Sequence, residues 1–183
     1  MIKSVGKHTY GVDALKFYVI TSDKVDVNIG AFTSIADNVT IIESQGTGHF
    51  FKEGTTYPFG LRLHNIFDNY KRRESYDINL RDINIGNDVW IGSGVTIGPG
   101  SNIGDGAVIA FNSHVMGNVD PYAIYGGNPA RIIRYRFSEA NIRRFLDLKW
   151  WELEDKQINE ILPYLQQHPT SKIFIKINEI LNR

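Results

Sequence analysis

The chain has 183 residues, of which 42% are hydrophobic and 22% charged, and its twenty basic side chains are balanced by twenty acidic ones. A neutral chain of this composition has no overall field for gathering nucleic acid or an anionic membrane, so an anionic ligand must be held by local groups. There is no cysteine, which excludes disulfides, thiolate metal sites and a cysteine nucleophile.

The opening segment, MIKSVGKHTYGVDALKF, lacks the apolar core of a signal peptide, and no stretch is long enough to span a bilayer. The expected location is therefore cytoplasmic. A six-residue period then begins with Ile29-Gly30, Ile35-Ala36 and Ile41, with Thr33 and Val39 at the fifth position. It breaks over residues 43–82 and resumes as Ile85, Ile91, Ile97, Ile103, Ile109 and Val115. Gly86, Gly92, Gly98, Gly104, Ala110 and Met116 follow these aliphatics, and Val89, Val95, Ser101, Ala107, Ser113 and Val119 hold the fifth positions.

Period six fits neither an amphipathic helix nor an alternating strand. It fits a chain that makes a short strand, turns a corner and repeats. Three such faces close a triangular coil with its aliphatics inside, and the coils stack by strand pairing at roughly 4.8 Å. Small residues suit the inner corner, and Gly, Asn or Asp suit the turns. Residues 85–120 make two coils on this reading, with Val119 at a small corner position and His114 at a repeat corner. The expected fold is mainly β, a parallel β-helix over 1–137 with a protruding loop at about 43–82. The segment 138–183 is expected to be helical.

Long loops inside compact repeats are often functional. This one carries His49 and His64. In the tail, Ser138 reads as the N-cap of a helix ending at Leu148, and a second helix runs from Asp155 to Leu165. Beyond Pro169-Thr170, a third places Ile173, Phe174, Ile177 and Leu181 on one face. The expected role of these helices is to cap the open end of the prism, where unpaired strand edges would be exposed.

The segments GNDVWIGSGVTIGPGSNIGDGAVIAFNSHV and YGGNPARIIRYRF resemble the hexapeptide-repeat acetyltransferases. His49 followed by Thr55-Thr56-Tyr57-Pro58-Phe59, and FLDLKWW after the GGNPA segment, resemble the xenobiotic branch of that family. That branch includes type B chloramphenicol and streptogramin acetyltransferases and O-acetyltransferases of surface sugars. The resemblance covers roughly residues 26–165. It implies a left-handed helix, a homotrimer with active sites between neighbouring prisms, acetyl-CoA as donor and a hydroxyl, less often an amine, as acceptor; no metal is expected, because the histidines form no ligand set. It also implies that His49 is the general base.

Acetyl transfer from a thioester to a hydroxyl needs a base, donors for the tetrahedral oxyanion and a held acceptor. Imidazole suits the base, since it titrates at about 6.5 unperturbed. His64 is the rival to His49; His8, His114 and His168 have no comparable context. Glu43 and Glu53 are candidate partners for fixing the His49 tautomer, as is a backbone carbonyl. Trp90 is expected to face outward, as a wall of the acetyl or pantetheine site and as trimer packing. Gly92 and Ser93, through backbone N–H groups or the hydroxyl, are candidates for the thioester region. Arg131 and Arg134 match basic positions that meet the CoA nucleotide, where paired charge-assisted bonds suit phosphate. The chain departs from its relatives at Phe111, which narrows or displaces the CoA groove, and at Met116-Gly117, where a basic group is missing. Tyr10, Tyr18, Tyr57 and Phe59 are candidate acceptor contacts.

The function expected first is O-acetylation of a carbohydrate, a surface polysaccharide or its precursor, because the chain is short ahead of its first coils. The alternatives are an antibiotic acetyltransferase of the streptogramin or chloramphenicol type and an amino-sugar N-acetyltransferase. A non-catalytic scaffold would not need the loop histidine. A metal-dependent hydratase would need three converging histidines, and the five present form no plausible ligand set.

Overall fold

The computed structural model describes residues 1–18, 25–43, 52–60, 66–69 and 81–182. The six-residue period becomes a three-faced parallel β-helix. Its first face pairs strands Ile2–Val5, Val27–Ile29, Ile83–Ile85, Asn102–Ile103 and Asn118–Val119 in that spatial order. The second stacks Ser34–Ile35, Trp90–Ile91, Val108–Ile109 and Ala123–Gly126, and the third stacks Lys16–Tyr18, Thr40–Ile42, Thr96–Ile97 and His114–Val115. Arg131–Tyr135 turns back antiparallel on Ala123–Gly126 and closes the second face.

The aliphatic ladder is the core. Ile85, Ile91, Ile97, Ile103, Ile109 and Val115 are buried, as are Val89, Val95, Ser101, Ala107 and Ser113 at the fifth positions. Each isoleucine taken from water contributes roughly 2–3 kcal/mol, so the repeated residue sets the repeated strand. Buried hydroxyls satisfy backbone groups at the corners: Ser101 Oγ donates to the Gly98 carbonyl at 2.7 Å, and Ser113 Oγ to that of Ala110 at 2.7 Å. Outside the first face runs an amide ladder. Asn28 donates to Asn84 at 3.0 Å, Asn84 to Asn102 at 2.9 Å and Asn102 to Asn118 at 3.2 Å.

Coil length is visible in these partners. Asn28 and Asn84 are 56 residues apart, Asn84 and Asn102 18 apart, and Asn102 and Asn118 16 apart. The break in the period is thus an insertion of 38 residues between two adjacent coils. The last coil is two residues short, which moves Val119 from the expected corner into the ladder, opposite Ile103. The shortcut is made at Gly117, whose φ of 86° is open to glycine. His114 likewise is not at a corner. It lies in a strand of the third face beside Thr96.

The left-handed turn residue recurs three places after each ladder isoleucine from Ile85 to Ile109: Asp88, Gly94, Gly100, Gly106 and Asn112. On one edge this position is filled by Phe32 (φ 56°) and Tyr122 (φ 55°), a costly backbone region for bulky residues. Both aromatics are used in packing. Three helices follow, α1 (Glu139–Leu148), α2 (Asp155–Leu165) and α3 (Ser171–Leu181), with a 3-10 turn at Trp150–Glu152. Ser138 is the N-cap of α1 through its backbone, its carbonyl accepting from Asn141 and Ile142.

The helices do not cap an end of the prism. They lie along the aromatic edge from the first coil to the last. Phe145, Trp151 and Phe174 form a second core with Ala31 and Tyr122. Trp150 meets Phe32 at 4.7 Å between ring centroids, and Phe145 stacks on Tyr122 at 5.5 Å. At the first coil, Lys7 Nζ donates to the Leu153 carbonyl at 2.6 Å and pairs with Asp155 at 3.0 Å, while His8 Nε2 lies 2.9 Å from the same carboxylate.

Candidate active site

The strand register puts one row of side chains on the outside of the second face. Tyr10 bridges to Ser34, Ser34 pairs with Trp90, Trp90 with Val108, Val108 with Ile124 and Ile124 with Arg134. Trp90 points outward as its place beside Ile91 requires, and it is 49% exposed. Phe111, 61% exposed, meets it edge to face at 6.4 Å. Gly92 lets this corner close: a Cβ there would come within 2.9 Å of the Phe111 backbone nitrogen. Trp90, Gly92, Ser93 and Phe111 are therefore neighbours at the corner where the strands of the second face end.

The Gly92 N–H is committed to the Ile109 carbonyl at 2.9 Å, so it is not a spare donor for a thioester. Of that pair, Ser93 keeps its N–H and hydroxyl without a protein partner among the described residues. At the end of the row opposite Tyr10, Arg134 donates to the carbonyl of Tyr135 at 3.1 Å, and Arg131 donates to that of Ala130 at 2.9 Å. Both are exposed, and neither faces a carboxylate among the described residues. Arg131 pairs with Gly126 at the far end of its strand, away from the Trp90 row.

A cavity of about 490 Å³ opens on this face, lined by Phe32, Ser34, Trp90, Val108, Ile124 and Arg134 with Asp88, Val89, Arg136 and Phe137. Asp88 and Arg136 form an ion pair at 3.2 Å, each about 30% exposed. Burial pushes the Asp88 carboxyl above the usual carboxylate range, and the Arg136 guanidinium pulls against it. Burial also raises the Tyr122 phenol, with the Asp88 charge adding to the effect. Sequence reading did not single out Asp88 or Arg136, because their pairing spans 48 residues.

The candidate acceptor residues divide. Tyr10 stands in the Trp90 row, whereas Tyr18 pairs with Ile42 on the third face. Tyr57, Phe59 and Phe67 cluster in the loop, with centroids 4.6 Å and 5.8 Å apart. Glu43 is buried and bonded to the amino group of Met1 at 2.9 Å. His49 and His64 lie outside the described residues.

A three-faced hexapeptide coil is the architecture of the hexapeptide-repeat acyltransferases, and here it carries an aromatic corner and exposed guanidinium groups on one outer face. Residues 82–117 match the bacterial transferase hexapeptide family (six repeats). The chain is 39% identical over 156 residues to a chloramphenicol acetyltransferase of Escherichia coli, covering 84% of this chain and 72% of that one. It is 47% identical over 157 residues to the virginiamycin A acetyltransferase of Staphylococcus aureus, covering 82% and 67%. Among solved structures it resembles the hexapeptide-repeat acetyltransferase VCA0836 of Vibrio cholerae O1 biovar eltor complexed with acetyl-CoA, with a TM-score of 0.52 and 26% identity. That match covers 73% of this chain, which spans 60% of the length of the other. The chain belongs to the xenobiotic branch of the hexapeptide-repeat acetyltransferases. Its prism is a left-handed parallel β-helix, and it is an acetyltransferase with acetyl-CoA as co-substrate.

Proposed function

We propose that this enzyme acetylates a hydroxyl of a drug-type acceptor, with His49 as general base and the Trp90–Arg134 face as the donor groove. The observation that carries the groove is the single row joining an exposed aromatic corner to an exposed guanidinium. Trp90 and Arg134 are three strand steps apart, about 14 Å. The row runs from an apolar wall suited to a thioester to a cation suited to phosphate. Ser93 contributes its N–H and hydroxyl at the Trp90 end. Arg134 takes the nucleotide, with Arg131 further along the same strand.

His49 accepts the acceptor hydroxyl's proton as the oxygen attacks the thioester carbonyl. The tetrahedral intermediate collapses with cleavage of the C–S bond, and the imidazolium returns its proton to the departing CoA thiolate. Trp90, Phe111, Ile132 and Ile133 are large apolar side chains left exposed by the single prism, the kind of surface that a neighbouring subunit covers. We take the working unit to be a homotrimer that covers this face.

A carbohydrate acceptor was the first expectation. The identities to chloramphenicol and virginiamycin A acetyltransferases favour the drug-type alternative. The test is thiol release from acetyl-CoA across a panel of chloramphenicol, streptogramin A compounds, saccharides and amino sugars, with products identified by mass. Turnover with a hydroxyl-bearing drug is expected. Turnover with saccharides alone would overturn the acceptor while leaving the transferase, and turnover with amines alone would overturn O-transfer.

A further inference from the structure

Arg136 is bound in more directions than any other guanidinium among the described residues. Its Nη1 donates to the Asp88 carboxylate at 3.2 Å and to the Gly106 carbonyl at 2.6 Å. Its charged carbon lies 5.3 Å from the centroid of the Tyr122 ring and 5.1 Å from that of Phe137. Its backbone N–H donates to the Tyr122 carbonyl at 2.8 Å. Asp88, Gly106 and Tyr122 are successive left-handed corners of one prism edge. One residue thus ties three stacked coils together.

The place of that tie matters. Asp88 lies two residues before Trp90, and its backbone, at φ 52°, turns the chain into the strand that presents the indole. Asp88 and Arg136 line the donor groove beside Trp90 and Arg134. They also line a second cavity of about 440 Å³ on the tail side, with Trp150, Leu165 and His168. The ion pair is the partition between the groove and the helical tail. A planar guanidinium can bond along its edge while aromatics cover its faces, and an ammonium cannot do both.

We propose that Arg136 is a positioning residue for acetyl-CoA binding: by fixing the Asp88 and Gly106 corners against the helical tail, it sets where Trp90 stands relative to Arg134. The inference rests on the reading of this face as the donor groove.

The test compares Arg136→Met and Arg136→Lys with Trp90→Ala, measuring kcat, KM for acetyl-CoA, thermal unfolding and sedimentation for each. A merely structural role would lower the folded fraction and hence the apparent kcat, leaving KM unmoved. Arg136→Met is expected to raise KM about tenfold with kcat within about twofold, the loss of one charge-assisted anchor. Arg136→Lys, which keeps the charge and one bond, should fall between it and the wild type. If Arg136→Met does not fold, Asp88→Asn replaces it, with an expected rise in KM of about threefold. An unchanged KM in the folded variants, with Trp90→Ala raising it, overturns this inference alone. An unchanged KM in Trp90→Ala overturns the donor groove, and this inference with it.

Discussion

Trp90 and Arg134 occupy one cross-strand row on the outer face of the prism, with Val108 and Ile124 between them. Arg131, three residues earlier on the same strand, pairs with Gly126 at the strand's other end. The two arginines are therefore not equivalent. Arg134→Ala should raise the KM for acetyl-CoA about tenfold with a small change in kcat, the pattern of lost uniform binding. Arg131→Ala should raise it less. Steady-state kinetics at varied acetyl-CoA checks the order, and a larger effect at Arg131 would move the nucleotide along the strand.

Gly106 faces two demands at once. Its φ is +68°, and a Cβ there would stand 2.5 Å from the edge of the Tyr122 ring. Gly106→Ala should cost about 2–4 kcal/mol, backbone strain adding to overpacking. Gly117 has a φ of +86° but open space around it, so Gly117→Ala should cost about 1–2 kcal/mol. Denaturant midpoints of the two variants measure the difference, and equal losses would remove Tyr122 from the explanation.

Much of the prism was legible because its signal is local and repeated. The aliphatics from Ile85 to Val115 and the small fifth-position residues lie where period six puts them. Register failed at Val119, because a coil two residues short looks the same as a full one until Asn118 is seen against Asn102. The path of the tail was misjudged although a cue was present. Phe32 and Tyr122 fill turn positions that Gly, Asn and Asp hold elsewhere, and aromatics there ask for a packing partner. At the site, Trp90's outward aim followed from Ile91 facing inward. The committed Gly92 N–H and the Asp88–Arg136 pair did not, since both depend on which coil lies above which.

Asp88 gives the account a pH signature. Its carboxyl is raised by burial, against the pull of Arg136. A group that binds its proton more readily folded than unfolded contributes more stability as pH falls through that raised value, down to about 3.9, the unfolded range. Asp88→Asn should therefore cost less than about 1 kcal/mol at neutral pH, since it relieves desolvation while losing the ion pair. It should also remove this acid-side gain. Urea midpoints at neutral and mildly acidic pH test both, and a larger loss at neutral pH would mean that the ion pair outweighs burial.

The central claim is that His49 is the base. His49→Ala should leave the fold intact and lower kcat by about 10²–10⁴-fold, with the KM for acetyl-CoA little changed. Wild-type kcat/KM should fall as pH drops below the pKa of the base, since an imidazolium cannot accept a proton. The most direct measurement sets His49→Ala beside His64→Ala with the same acceptor. The account predicts that His49→Ala loses turnover while His64→Ala retains it. Near-normal turnover in His49→Ala, with His64→Ala inactive, would contradict it.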